Sequence, residues 1–133
     1  MNVGCALGVD CNGPETAPPE FARGATLQLE LPNNWVIAVE CAIDNPSRVL
    51  ANSIVSYQQG NTPFGCVSSC IAKGYQYAGV EYGDECYCGT GYVGGVVPQA
   101  ANVSDCNVAC TGSYTYSCGG SWRMQIFKAP TAP

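Results

Sequence analysis

The sequence predicts an α+β fold in which short helices are bolted to strands by disulfides, and three observations carry that prediction. Eight of the ten cysteines run in the order Cys41, Cys66, Cys70, Cys86, Cys88, Cys106, Cys110 and Cys118, which places a CxxxC on either side of a CxC. Cysteines four apart on a helix share one face about a turn apart, and cysteines two apart on a strand share one side of a sheet. A helix and a strand marked in this way are suited to two parallel bridges. The third observation is the alternation of Leu27, Gln28, Leu29, Glu30 and Leu31, the pattern of a half-buried strand.

Taken in order, the chain opens with an irregular lead-in over residues 1 to 25, where Cys5 and Cys11 lie close together ahead of Pro14, Pro18 and Pro19. The alternating strand ends at Pro32, Asn33 and Asn34, which supply turn chemistry, and Trp35 to Glu40 follows as a more buried strand with Trp35 in the core. These two strands are expected to pair as a hairpin. Asn45 and Pro46 break the next segment, and Tyr57 to Gly60 is a polar loop. A helix then starts at Thr62, whose hydroxyl caps it, with Pro63 where a missing N–H costs nothing. Phe64, Val67 and Ile71 form its apolar face, Cys66 and Cys70 lie inside it, and Gly74 stops it after Lys73.

Tyr77 to Tyr82 reads as a strand, Gly83 and Asp84 as a turn, and Glu85 to Cys88 as the returning strand that carries the CxC. That hairpin is the natural dock for the helix. Gly89 to Pro98 is a loop. Ser104 and Asp105 mark the start of a second short helix holding Cys106 and Cys110. A turn at Gly119 and Gly120 leads to a last strand, Trp122 to Lys128, and a frayed tail. No long internal repeat is present.

Composition narrows the class of function. The even cysteine count, the lack of any His and the absence of paired CxxC spacing favour disulfides over zinc. Disulfides at this density persist only in an oxidising compartment, so a secreted, extracellular protein is expected. The start MNVGCALGVD has neither a basic end nor a long apolar run, which leads to the expectation that any signal peptide has been removed. No stretch approaches the roughly 18 apolar residues of a membrane span. At 133 residues one domain is expected. A net charge of -5, with five Lys and Arg scattered singly, gives no stripe to neutralise phosphates, which argues against nucleic acid and anionic membranes as partners. Only 11% of residues are charged, so the surface is largely neutral and polar, a surface that suits hydroxyl-rich uncharged ligands and is also common in secreted proteins.

The string CVSSCIAKGYQYAGVEYGDECYCG, followed by SDCNVACTG and SCGGSWRMQIFK, resembles the WSC domain, the cysteine-rich module named for fungal cell-wall stress sensors. The resemblance runs from about Val36 to Lys128 and takes in the opening ECAIDNPSRVL, where Ala42 replaces the aromatic residue usual after the first cysteine. It divides the chain into an extension over 1–34 with its own disulfide and an added strand, a WSC-like domain over 35–128, and a tail over 129–133. It implies a compact α+β domain, similar to PAN or apple modules, with helices packed on an antiparallel sheet. It also implies the pairs Cys41–Cys106, Cys66–Cys86, Cys70–Cys88 and Cys110–Cys118, which leaves Cys5 and Cys11 to each other.

In function, the resemblance implies carbohydrate binding without chemistry, as in a small free-standing fungal lectin recognising neutral cell-wall or glycoprotein glycans. Such a site needs aromatic faces for the C–H patches of a sugar ring and planar polar groups for its hydroxyls. Tyr77, Glu81, Tyr82, Asp84 and Glu85 cluster around one strand and turn, Tyr92 lies on the next loop, and Trp122 with Arg123 opens the last strand. Each also has a structural explanation: the tyrosines as packing, Asp84 as a turn residue, and Glu81 with Arg123 as an ion pair. Asn102 begins the sequon Asn102-Val103-Ser104, a candidate glycan attachment site. The absence of His, and of any motif fixing two facing carboxyl groups, argues against an enzyme. No calcium-loop motif or other cofactor signal is present. The competing reading is a secreted defence or interaction protein acting on a protein receptor. A one-site lectin crosslinks cells only as a homodimer.

Overall fold

A computed structural model describes residues 29–133. Cys5, Cys11 and the start of the alternating strand lie outside the described residues, so neither their bridge nor the added strand enters the architecture below. Leu29 to Leu31, the end of that segment, are not in a strand, and a short 3-10 turn over Pro32–Asn34 follows them.

Seven strands and one α-helix make up the described fold. The strands are β1 (Val36–Ile43), β2 (Ser53–Ser56), β3 (Tyr77–Glu81), β4 (Glu85–Gly89), β5 (Ala109–Cys110), β6 (Ser113–Ser117) and β7 (Arg123–Lys128), and the helix α1 spans Pro63–Ala72. Five strands form one sheet in the order β1-β7-β3-β4-β2, and every neighbouring pair is antiparallel. β5 and β6 form a separate two-stranded ribbon. The described neighbour of β1 is therefore β7, not the segment that precedes the Pro32 turn.

Period-two alternation sorts the sheet residues onto two faces. Ala78, Val80, Cys86, Cys88 and Phe127 point to the face covered by α1, where they pack with Trp35, Cys66, Val67 and Cys70. Tyr77, Tyr87, Met124 and Ile126 point the other way and are covered by Ala42, Val49 and Leu50. The helix is set by its ends. Thr62 Oγ1 accepts from the Gly65 N–H at 3.0 Å, Pro63 occupies the first turn, and Gly74 at φ +86° lets the chain leave where other residues would be strained.

The disulfides are those the resemblance implied. Cys66–Cys86 and Cys70–Cys88 bolt α1 to β4, Cys41–Cys106 ties β1 to the loop before β5, and Cys110–Cys118 joins β5 to the end of β6. No cysteine among the described residues is free.

Two expectations need correction, and one strand was not foreseen. Cys106 and Cys110 do not share a helix: a 3-10 turn over Val103–Asp105 ends at Cys106, and Cys110 lies in β5. The CxxxC spacing is the same as in α1, but here the two sulfurs bond to different elements, and the Val108 N–H donates to Gly119 while the Cys118 N–H donates back to Val108. A one-turn helix is too costly to nucleate against such pairing. The Asn45 and Pro46 break is real, but the short edge strand β2 forms soon after it, with alternate residues exposed. The tail is not frayed at its start, because the Ala129 N–H donates to the Gln76 carbonyl.

Candidate functional site

The turns at one end of the sheet build a shallow hollow of about 230 Å³ lined by Arg48, Glu81, Tyr82, Glu85, Ser121 and Trp122. Each comes from a different local device. Glu81 closes β3 and Glu85 opens β4, and the two are direct partners across the hairpin. Tyr82 stands in the turn between them, Trp122 in the turn that precedes β7, and Arg48 in the turn that follows Asn45.

Those three residues share a rare backbone. Five non-glycine residues have positive φ among those described: Asn33, Asn34, Arg48 at 68°, Tyr82 at 53° and Trp122 at 54°. Asparagine tolerates that region, whereas for large side chains it is unusual and costs on the order of 1–3 kcal/mol each. All three large residues with this geometry line the one hollow. Its rim also exposes aromatic surface, since Tyr82 is 53% and Trp122 44% exposed.

The floor is a polar cluster centred on Arg48. Its Nη1 donates to Asp44 Oδ2 at 2.8 Å, and the guanidinium lies over the Trp122 ring at 4.6 Å and nearer the edge of reach from Tyr87 at 5.6 Å. The bond to Asp44 raises the Arg48 pKa further. Asp44 is buried, and its Oδ1 accepts from the Val49 N–H at 3.0 Å. Glu81 is only 3% exposed, and burial, with help from the nearby Asp44 and Glu85 carboxyls, pushes its pKa up to about 9. At neutral pH it is an uncharged acid. The 3.8 Å approach of Arg48 Nη1 to Glu81 Oε2 is therefore a loose polar contact, and the charge on Arg48 belongs to Asp44. Glu85 Oε1 accepts from the Tyr87 hydroxyl at 2.9 Å, and burial raises the Tyr87 pKa as well.

Of the residues singled out in the sequence, Glu81, Tyr82, Glu85 and Trp122 meet in this hollow. Tyr77 and Tyr92 do not: they pack on each other with centroids 5.1 Å apart at the opposite end of β3, where the buried Tyr77 hydroxyl donates to the Pro133 carbonyl. Asp84 accepts from Ser56 Oγ at 3.0 Å and tethers the hairpin turn to β2. Arg123 does not pair with Glu81. Its Nε donates to Asp105 Oδ2 at 3.1 Å, and it lines an adjacent hollow that shares Ser121 with the first.

Sequence reasoning missed Asp44 and Arg48. The signal available was two opposite charges four apart across an Asn-Pro turn, in a chain with only five basic residues. A larger hollow of about 410 Å³ lies on the helix side, lined by residues that include Leu29, Thr62, Phe64 and Tyr116, and it gathers no comparable set of charged groups. Among the described residues, the group of side chains close enough to suggest a metal is Cys66, Cys70 and Cys86, whose sulfurs are all engaged in disulfides.

Comparison with known proteins points to one family. A family model described as the WSC domain matches residues 38–120. The chain is similar to xylosyltransferase oxt of Drosophila melanogaster, 36% identical over 99 residues that cover 72% of this chain and 11% of that protein. It is similar to a WSC domain-containing protein of Arthroderma benhamiae, 36% identical over 88 residues covering 66% of this chain and 12% of the relative. A putative fungistatic metabolite of Chaetomium globosum is 34% identical over 98 residues, 70% of this chain and 42% of its own length. The chain thus spans about a tenth of the first two relatives and less than half of the third.

Proposed function

The chain belongs to the WSC domain family, and from that premise we propose that it is a secreted, non-catalytic carbohydrate-binding protein, a lectin, whose site is the hollow between Tyr82 and Trp122. The observation that carries this reading is the backbone of that hollow. Arg48, Tyr82 and Trp122 hold an unfavourable left-handed conformation, and a fold stores strain where positioning a side chain matters more than stability. The two exposed rings offer apolar faces to the C–H patches of a pyranose, and Arg48, Glu85 and Ser121 offer donors and acceptors to its hydroxyls. Four disulfides among the described residues fit life outside the cell, and no described helix is long and apolar enough to cross a membrane. A homodimer would bring two such sites together.

A screen of labelled protein against fungal-wall and animal-type glycans tests the reading, with Trp122→Ala alongside. Binding to a related set of neutral glycans is expected, and loss of one stacking face should weaken it by roughly tenfold. A blank screen at high protein concentration sinks the proposal. The Chaetomium relative is named a putative fungistatic metabolite, which motivates a second reading, a defence protein; its target would then be a protein receptor. In that case binding to the target would survive its deglycosylation.

A further inference from the structure

We propose that Asp44 is the specificity-determining residue of this hollow: by holding Arg48 in an internal ion pair it makes the site select uncharged glycans and reject those bearing carboxylate or sulfate. The inference rests on the lectin reading and adds the residue that sets the charge class of the ligand. An exposed arginine beside an aromatic platform is ordinarily an anion receptor, because its fork of donors matches a carboxylate. Here one arm of that fork is already engaged by an internal carboxylate. Arg48 Nη1 lies 2.8 Å from Asp44 Oδ2, and the Asp44 side chain is fully buried, so the counter-charge cannot be swung aside by an incoming anion. The other Asp44 oxygen is fixed by the Val49 N–H at 3.0 Å.

Among the described residues lining the hollow, no positive charge is left over. Arg48 and Asp44 cancel, Glu81 on β3 is held neutral by burial, and Glu85 on β4 contributes a further carboxyl at the rim beside Tyr87. Among the described residues, Arg123 in the adjacent hollow is engaged by Asp105. What remains available on Arg48, whose guanidinium carbon lies 4.6 Å from the Trp122 ring centroid, are the N–H groups not aimed at Asp44, and beside a fixed counter-charge these suit hydroxyls rather than a full negative charge.

The test is one glycan array carrying neutral glycans beside their sialylated, sulfated and uronic-acid counterparts, probed with the wild type and with Asp44→Asn. Asparagine keeps an oxygen for the Val49 N–H but frees the charge of Arg48. The wild type should bind neutral members only, and Asp44→Asn should gain at least about tenfold on the anionic members relative to their neutral counterparts. Equal wild-type binding to both classes overturns the inference, as does a folded Asp44→Asn with an unchanged pattern. Should that variant fail to fold, Asp44→Ser takes its place under the same criterion. If neither folds, Asp44 is a structural anchor and the inference falls. A blank array for the wild type instead removes the lectin reading itself, so the two failures are distinguishable.

Discussion

At Glu81, burial overrides the ordinary acidity of a carboxyl group. In the unfolded chain this side chain ionises around 4.5, whereas in the fold it keeps its proton up to about 9. Between those values the native state binds one more proton than the unfolded state, so stability falls as pH rises across that window, and the loss is complete above about 9. Glu81→Gln is neutral in both states and should flatten the dependence, with denaturant midpoints at pH 5, 7 and 9 as the measurement. Equal slopes for the two proteins would show that the buried acid is not the source. The sequence flagged Glu81 and offered Arg123 as its ion-pair partner, but Arg123 pairs with Asp105, and the cation that comes near Glu81 is Arg48, brought there by a turn 33 residues earlier and itself paired with Asp44. Left-handed backbone at Tyr82 and Trp122 was equally invisible, since nothing in a Tyr-Gly or a Ser-Trp pair announces it.

Among the elements, α1 and the β3–β4 hairpin follow local signals closely, while the turn before β7 depends on its neighbours. Gly119 sits at φ +77°, and a Cβ there would come within 2.5 Å of the Arg123 carbonyl and 2.6 Å of the Val80 carbonyl. Both atoms are backbone and cannot step aside. Gly119→Ala is therefore expected to cost more than about 1 kcal/mol, from φ alone, with the clash added. Because this turn presents Ser121 and Trp122, the variant should lose glycan binding along with stability, read by melting temperature and by the same array. An unchanged melting temperature would refute the close approach. The second CxxxC shows the opposite lesson. Its spacing matches that of α1, yet the segment becomes a 3-10 turn and a strand, because helix or strand was decided by where the partner cysteines lie.

At the scale of the whole molecule, the four bridges among the described residues differ in how much unfolded chain they restrict. Cys41–Cys106 spans 65 residues and Cys110–Cys118 spans 8. In the chain-entropy picture, loops of these lengths correspond to about 4 and about 2.5 kcal/mol. Replacing Cys41 and Cys106 by Ala should thus destabilise more than replacing Cys110 and Cys118, as chemical denaturation of the two double variants would measure. The reverse order would mean that native packing around the β5–β6 ribbon outweighs loop entropy. The long bridge also ties β1, which leads into the Asp44–Arg48 turn, to the segment carrying Asp105. The hollow and the adjoining Arg123 groove are therefore held in one frame by a covalent bond.

The sequence by itself determined the family, the helix from its cap to its glycine stop, the β3–β4 hairpin and, through the resemblance, which of the eight ladder cysteines pair. These are legible because caps, turns and cysteine spacing act over a few residues or leave a fixed signature. Only the tertiary structure decided that Asp44 and Arg48 meet at the hollow beside Trp122, that Tyr77 and Tyr92 stand apart from it, and that Arg123 serves Asp105. Those outcomes depend on which turns meet at one end of the sheet and on how deeply each carboxyl is buried, and both are set by long-range pairing that no local pattern in the chain records.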